Sequence, residues 1–328
     1  MTKPIILITL ILTGVILAGG CEPNARSSDK KRTPPSHTPV FNADSAYHYI
    51  ETQVKFGARV PGSDAHAACA DYLKNTLERF GATAEFQHDK GTLYNGESIA
   101  IKNIIGKFNP SAVQRILLCA HWDSRPFADY DADEAKRQTP VLGANDGASG
   151  VGVLLEVARH LDELPENLGL DIVFFDVEDY GAPQFYTGRH IADAWCIGSQ
   201  AWAQRAKKER YQAQYGILLD MVGARGARFF KEQVSLRYAP QVVERIWEIA
   251  QNLGFDNYFV PEQGSAITDD HLFINQLAGI PCIDIIQQLP TSSTGFGDYW
   301  HTTHDDMHNI DRNTLYAVGQ TVLCGLNN

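Results

Sequence analysis

The chain alternates short continuous apolar runs with stretches whose apolar residues recur at helical spacing. Runs such as RILLCAH, bounded by polar residues, are typical of strands that are covered on both faces of a sheet. A longer segment, SIAIKNIIGKF, also has the composition of a strand. The strand candidates are, in chain order, SIAIKNIIGKF, RILLCAH, DIVFFDV, YGILLDMVG and PCIDIIQQ.

Helical patterns precede, separate and follow these runs. SDAHAACADYLKNTLERFGA begins at a capping Ser63 or Asp64, places its leucines on one face and stops at Gly81, which predicts a surface helix. Alternation of this kind predicts one doubly wound α/β domain over residues 42–328, with a central mixed, largely parallel sheet flanked by helices. The other helix candidates are GASGVGVLLEVARHL, QVVERIWEIAQNLGF, DDHLFINQLAG and TLYAVGQTVLCGL, and the Asp-rich DYDADEAKRQ is predicted to be a solvated loop.

The N-terminal residues have a different pattern. After Lys3, an apolar run from Ile5 to Ala18 is short for a membrane span and leads through two glycines into Cys21. This resembles a bacterial lipoprotein signal, so residues 1–20 are predicted to be a signal peptide and Cys21 the lipidated residue; a simple cleaved signal is the alternative. Residues 21–41, rich in Pro and Ser, are predicted to be a flexible tether. We expect an exported protein, lipid-anchored to a bacterial membrane, with a periplasmic catalytic domain.

Charge and cysteine content narrow the function classes. The formal net charge of −11 argues against nucleic acid as a partner, because phosphate-backbone binding needs clustered Lys and Arg. Cys119 and Cys282 lie in strand-like runs, where a buried free thiol behaves as a small hydrophobic group. No disulfide is implied, and no CxxC spacing occurs.

Polar side chains follow three of the predicted strands where each apolar run ends. A buried carboxylate is costly unless it is paired or metal-bound, and the carboxyl ends of parallel strands face one crevice. We expect no Lys or Arg beside these ends, which argues against a purely structural ion-pair cluster. Asp146 joins the crevice from the glycine-rich turn GANDGASG. The residues at the three strand ends are His121 and Asp123, Glu178 and Asp179, and Asp220.

The stretch GDYWHTTHDDMHNID holds three histidines and four aspartates. A catalytic zinc site needs about three protein ligands and one open position. Asp146, one member of the Glu178-Asp179 pair and a histidine from this stretch would supply the ligands, and the other member of the pair could act as a general base. His304 and His308 are expected to be solvated, since lone surface histidines seldom bind a metal.

Six motifs, HWDS, NDGASG, FFDVEDYG, LLDMVGA, TDDHLFI and YWHTTHDD, occur in the order seen in the zinc aminopeptidase-like superfamily. More narrowly, the chain resembles the glutaminyl cyclases, which convert an N-terminal glutamine of peptides or proteins into pyroglutamate and release ammonia. That resemblance implies one zinc ion per chain, held by Asp146, Asp179 and His301, with Glu178 as the proton shuttle. It also implies an acidic network of Asp220 and Asp269 with Glu178, and a substrate pocket in which we place Trp300 and Thr268.

The same residues also suit a co-catalytic aminopeptidase with two zinc ions. Asp146 would then bridge the ions, Asp179 and His301 would complete one site, and His121 and Asp220 the other. Trp300 before the histidine and the doubled aspartate at 269–270 favour the cyclase. A non-catalytic binding protein ranks last, because every expected ligand type is present.

The chain departs from the animal cyclases in two places. They carry two successive glutamates where this chain has Glu178-Asp179, so the expected ligand Asp179 is one methylene shorter. The segment after this pair also differs and resembles the bacterial version. Roles for Trp195 and Trp202 in that segment stay open.

Overall fold

The computed structural model describes residues 38–161, 167–189 and 191–327. The predicted signal peptide, Cys21 and most of the predicted tether therefore lie outside the described residues. The eight strands of the described part are β1 Thr83–Thr92, β2 Ser98–Phe108, β3 Gln114–His121, β4 Leu168–Phe175, β5 Gly216–Asp220, β6 Phe229–Lys231, β7 Phe259–Gln263 and β8 Cys282–Ile286. Its eight α-helices are α1 Ala43–Lys55, α2 Asp64–Arg79, α3 Ala148–Arg159, α4 Ile197–Glu209, α5 Gln233–Tyr238, α6 Pro240–Asn252, α7 Asp270–Phe273 and α8 Arg312–Leu326.

Six of these strands form one mixed sheet in the order β1-β2-β4-β3-β5-β8. Strands β4, β3, β5 and β8 run parallel to one another, whereas β1 and β2 form an antiparallel pair, and β2 joins the sheet by antiparallel pairing with β4. Leu118 at the centre of β3 pairs with Ile172 of β4 and with Ile217 of β5. The prediction of a central, largely parallel sheet flanked by helices is confirmed.

Alternate residues of the parallel strands enter two separate cores. On one face, Leu118 and its neighbours pack with α1, α2, α3, α6 and α8. On the other face, Leu117 and Cys119 pack with α4, including Trp202, and with the turn after α7. Because the side chains of a strand alternate between faces, a strand covered on both faces needs an unbroken apolar run. The apolar runs in the sequence therefore indicate these strands.

Close helix packing explains the glycine-rich turn before α3. A Cβ at Gly150 would overlap the backbone carbonyl of Leu219 in β5, and one at Gly152 would overlap Ile50 in α1. The glycines therefore let α3 lie directly on the sheet and on α1. This packing places the turn that carries Asp146 beside the carboxyl end of β5.

Several element predictions are confirmed and others are incomplete. Helix α2 has Ser63 as its N-cap, whose side chain accepts from the amide of His66. The predicted helix DDHLFINQLAG is instead the short α7 followed by a π-helical turn, Ile274–Ala278. Helices α1 and α4 and strand β1 were not singled out by the sequence patterns. The five cysteines among the described residues carry free thiols.

The described residues contain no helix with both the length and the apolar content needed to cross a membrane. The C-terminal end of the predicted tether contacts α8. The side-chain amide of Gln320 donates to the carbonyl oxygen of Pro39 and accepts from the amide of Phe41, both at 3.0 Å.

Candidate active site

A pocket of about 260 Å³ opens at the carboxyl ends of the parallel strands. Its floor is acidic and its walls are largely apolar, which is the usual character of a small-ligand site. Thr268, which we predicted to contact substrate, lies in the wall. The polar floor residues are Asp146, Glu178, Asp179, Asp220, Asp269 and His301, and the apolar wall includes Trp195, Ile267, Ile286, Phe296 and Trp300.

The three predicted metal ligands lie together in this pocket. One ligand atom each of Asp146, Asp179 and His301 lies within 4.8 Å of the other two. The Nε2 atom of His301 is 3.1 Å from Oδ1 of Asp179 and 3.7 Å from Oδ2 of Asp146. Asp146 comes from the turn before α3, Asp179 from the loop after β4, and His301 from the loop before α8. All three side chains are buried.

The chemistry of this donor set fits a zinc ion. Burial and the neighbouring charge of Asp146 raise the pKa of Asp179 well above its usual value, so the two carboxylates oppose each other unless a cation or proton intervenes. Burial and the charge of Arg125 hold the pKa of His301 well below its usual value, which keeps the imidazole in the neutral form that binds metals. Two carboxylates and one imidazole with an open position are a ligand set that zinc accepts.

Two buried aspartates fix the loops that carry the ligands. The carboxylate of Asp123 accepts from the amides of Glu178 at 3.1 Å and Asp179 at 3.3 Å. The carboxylate of Asp305 accepts from the amides of Asn145 at 2.9 Å and Asp146 at 3.0 Å. Such contacts orient a metal ligand, and neither aspartate was assigned this role from the sequence.

Three residues in or beside the pocket have a strained backbone. Val177, Met221 and His301 are non-glycine residues with φ of 54°, 48° and 54°. Residues in this region cost on the order of 1–3 kcal/mol each and persist where the surrounding structure holds them. The amide of Val177 is held by the side chain of Asp176 at 2.9 Å, and the next residue is Glu178.

Glu178 lies beside the ligand set without belonging to it. Its Oε1 atom accepts a hydrogen bond from the thiol of Cys196 at 3.1 Å, and its Oε2 atom is 3.9 Å from Nδ1 of His121. Burial raises the pKa of Glu178 well above its usual value, and the charges of Asp269 and Asp179 add to this against the opposing charge of His121. A carboxylate with a raised pKa in a pocket is suited to general base catalysis.

The predicted acidic partners of Glu178 are also at the pocket floor. One oxygen of Asp269 lies within 4.8 Å of both Glu178 and the Cys196 thiol. Burial raises the pKa of Asp220 to about 7, although its hydrogen bond with His121 opposes this effect. His121 Nε2 lies 3.1 Å from Asp220 and 3.0 Å from Asp146. The residues of the second metal site of the aminopeptidase alternative are therefore gathered as well.

Two tryptophans line the pocket beside the histidine ligand. The ring of Trp300 stacks on His301 with centroids 3.6 Å apart, and Trp195 lies nearly parallel to the same imidazole at 6.2 Å. Trp202 instead packs against Phe175 inside the core. Of the two tryptophans whose roles the sequence left open, only Trp195 lines the pocket.

Two expectations from the sequence are wrong. Arg125 is fully buried beside the acidic cluster, where it binds both carboxylate oxygens of Asp129 at 2.7 and 2.9 Å and lies 3.3 Å from Asp179. The Asp-rich loop is solvated only in part, because Asp129 and Asp131 are buried, and Asp131 accepts from Thr303. Arg125 follows Asp123 by two positions in the sequence, and that proximity was the available signal.

The remaining histidines of the C-terminal stretch behave as expected. His304 and His308 are exposed, and His308 contacts only the neighbouring Asp306 among the described contacts, at 2.9 Å. Of the three histidines in this stretch, His301 alone points its imidazole at the acidic pocket floor.

Comparison with known proteins places this site in a family. The model of Peptidase family M28 matches residues 103–324, which is more than half of the chain. The chain belongs to peptidase family M28. The resemblance seen in the six sequence motifs is confirmed, and so is the fold expected from it.

Two solved structures and one relative resemble this chain over most of its length. The crystal structure of Tannerella forsythia glutaminyl cyclase is 53% identical, covers 88% of this chain and 99% of that chain, and has a TM-score of 0.86. A Zn-dependent exopeptidase from Parabacteroides distasonis is 52% identical, covers 89% and 99%, and has a TM-score of 0.87. The glutaminyl-peptide cyclotransferase of Bos taurus is 26% identical over 287 residues, which are 78% of this chain and 74% of that protein.

Proposed function

We propose that this chain is a zinc-dependent glutaminyl cyclase, which converts the N-terminal glutamine of peptides or proteins into pyroglutamate and releases ammonia. The observation that carries the proposal is the 53% identity with the Tannerella forsythia glutaminyl cyclase over 99% of that chain. The cyclotransferase of Bos taurus supports a peptide substrate. The pocket supports the same chemistry through its acidic floor and aromatic wall.

We assign one zinc ion per chain to Asp146, Asp179 and His301. The Zn-dependent relative from Parabacteroides distasonis supports this choice of metal. When bound, zinc supplies a Lewis acid for the carbonyl oxygen of the substrate γ-amide. Asp123 and Asp305 keep the ligand loops in place through the amide contacts described above.

Glu178 is assigned the proton transfers of the reaction. The neutral α-amine of the glutamine attacks the γ-carbon and forms the new C–N bond, and Glu178 accepts the proton that this amine loses. It then delivers that proton to the amide nitrogen, whose bond to the γ-carbon breaks as ammonia leaves. The charge of Asp269 helps to keep the pKa of Glu178 raised, and Asp220 shares the buried charge at the pocket floor through its contact with His121.

The pocket walls are assigned the task of orientation. The attacking amine and the γ-amide belong to one residue, and correct alignment of such an intramolecular reaction can contribute roughly 7–11 kcal/mol. Trp300 and Trp195 present flat apolar surfaces to a folded glutamine side chain. The same surfaces exclude bulk water, which favours cyclisation over hydrolysis.

A di-zinc aminopeptidase is the second candidate. The observation that favours it is a second group of possible metal ligands. One ligand atom each of His121, Asp146 and Asp220 lies within 4.8 Å of the other two. The identity with a structure described as an exopeptidase points the same way. This candidate predicts hydrolysis of unblocked N-terminal residues and two metal ions per chain.

We also propose that the chain is exported and anchored to a bacterial membrane through a lipid on Cys21, with the catalytic domain in the periplasm. This proposal rests on the sequence of residues 1–21 alone. Labelling with a radioactive fatty acid should mark the full chain and leave a Cys21→Ala chain unmarked.

Two peptides that differ only in their first residue, glutamine or leucine, separate the two candidate functions. With protein lacking residues 1–21, the glutamine peptide should release ammonia and lose its free α-amine in equal amounts, and the leucine peptide should stay intact. Ammonia, primary amine and free leucine are measured in the same samples. If the leucine peptide releases free leucine and the glutamine peptide releases no ammonia, the chain is a peptidase.

A further inference from the structure

The loop that carries His301 forms hydrogen bonds with the turn that carries Asp146, both before and after the histidine. After His301, the carboxylate of Asp305 accepts from the backbone amides of Asn145 and Asp146. Before it, the hydroxyl of Tyr299 accepts from the side-chain amide of Asn145 at 3.2 Å. The two metal-ligand loops are thus joined by contacts that flank the metal site.

The direction of the hydrogen bonds through Tyr299 is fixed by its neighbours. Oδ1 of Asn145 accepts from the amide of Gly223 at 2.8 Å, so Nδ2 of Asn145 must be the atom that donates to Tyr299. The Tyr299 hydroxyl then donates its own proton to Oε1 of Gln287 at 2.7 Å. This chain of bonds ends on Gly223 beyond β5 and on Gln287 beyond β8, so both ends are tied to the sheet.

These hydrogen bonds matter because the side chains at both ends of the Tyr299 hydroxyl are buried. Asn145 is fully buried and Gln287 nearly so. A buried polar group that loses its partner cannot turn to bulk water, so loss of the Tyr299 hydroxyl leaves the amides of Asn145 and Gln287 unsatisfied or forces the loops to shift. The Asn145 backbone leads directly into Asp146, and the Tyr299 backbone is two residues from His301.

We propose that Tyr299 is a positioning residue for the metal site: its hydroxyl holds Asp146 and His301 in register and thereby sets the zinc affinity. The inference rests on the zinc assigned above to Asp146, Asp179 and His301. Partners that orient metal ligands typically change metal affinity by 10–100-fold when they are removed. Tyr299 acts through its neighbours on the ligand loops and need not touch substrate.

Tyr299→Phe tests this with the loss of one oxygen atom, and Tyr215→Phe is the matched control. Tyr215 is buried, and, like that of Tyr299, its hydroxyl makes an internal hydrogen bond, which it donates to the carbonyl of Gly325 at 3.2 Å within the core around α8. Zinc affinity is measured by competition with a chelator, alongside the melting temperature. We expect Tyr299→Phe to weaken zinc binding by about 10–100-fold, and Tyr215→Phe to lower only the melting temperature.

Gln287→Leu tests the same hydrogen bond from the acceptor side. It removes the acceptor of the Tyr299 hydroxyl and should also weaken zinc binding, and the double variant should lose less than the sum of the two single losses because both changes break one chain of contacts. Wild-type zinc affinity in Tyr299→Phe, or an equal loss in Tyr215→Phe, would overturn the inference.

Zinc affinity is measured without substrate. A wild-type chain that binds zinc but does not cyclise glutamine would overturn the proposed function and leave the role of Tyr299 intact.

Discussion

Replacement of Glu178 by glutamine is expected to remove most of the turnover while the chain keeps its zinc. Glutamine preserves the size of the side chain but cannot accept and return a proton, and a positioned general base contributes typically about 10²–10⁴-fold to a rate. Glu178 lies outside the set of Asp146, Asp179 and His301 whose ligand atoms converge. We therefore expect kcat for ammonia release to fall by about 10²–10⁴-fold, with zinc content per chain unchanged.

The neighbouring residue provides the matched comparison for this variant. Asp179→Asn removes the same charge one position away, and it should lose zinc together with activity because Asp179 belongs to the ligand set. Zinc content is measured by atomic absorption on both proteins after dialysis. A Glu178→Gln protein that has lost its metal, next to an Asp179→Asn protein that retains it, would mean that the two roles are reversed.

Replacement of His301 by alanine is expected to remove the metal altogether. His301 is the only imidazole in the converging set with Asp146 and Asp179, and residues that merely orient ligands already change affinity by 10–100-fold. Loss of the ligand itself should weaken zinc binding by more than about 100-fold, and cyclisation should disappear with it. Chelator competition measures the first effect and ammonia release the second.

His308→Ala is the control for the histidine-rich stretch. His308 lies seven residues further along the same segment, and its side chain is 96% exposed. Its removal should change neither zinc affinity nor cyclisation. A loss of zinc in His308→Ala comparable to that in His301→Ala would place the metal elsewhere in the stretch.

The strands and the floor of the pocket were readable from the sequence because each depends on a local pattern. A strand buried on both faces requires a continuous apolar run, and a carboxylate at the end of such a run requires a partner. Glu178 and Asp220 could therefore be placed at one crevice before the fold was known. Strand β1 was missed because only one of its ten residues is buried, so its sequence, TAEFQHDKGT, lacks a long apolar run.

The surroundings of the site depend on contacts between distant segments, and these left little trace in the sequence. Trp195 reaches the pocket because Gly181 has no Cβ to collide with its indole. Cys196 forms a hydrogen bond with Glu178, which lies eighteen positions earlier in the sequence. Tyr299 forms one with Asn145, which lies 154 positions earlier. Arg125 was excluded wrongly, because a guanidinium four residues beyond the end of β3 can turn back to the cluster and neutralise part of it.

Diffraction from crystals grown with zinc, recorded on both sides of the zinc absorption edge, tests the central assignment most directly. We expect one anomalous peak per chain, in contact with Asp146, Asp179 and His301. A second peak of similar occupancy between Asp146, His121 and Asp220, or a single peak away from His301, would overturn the assignment.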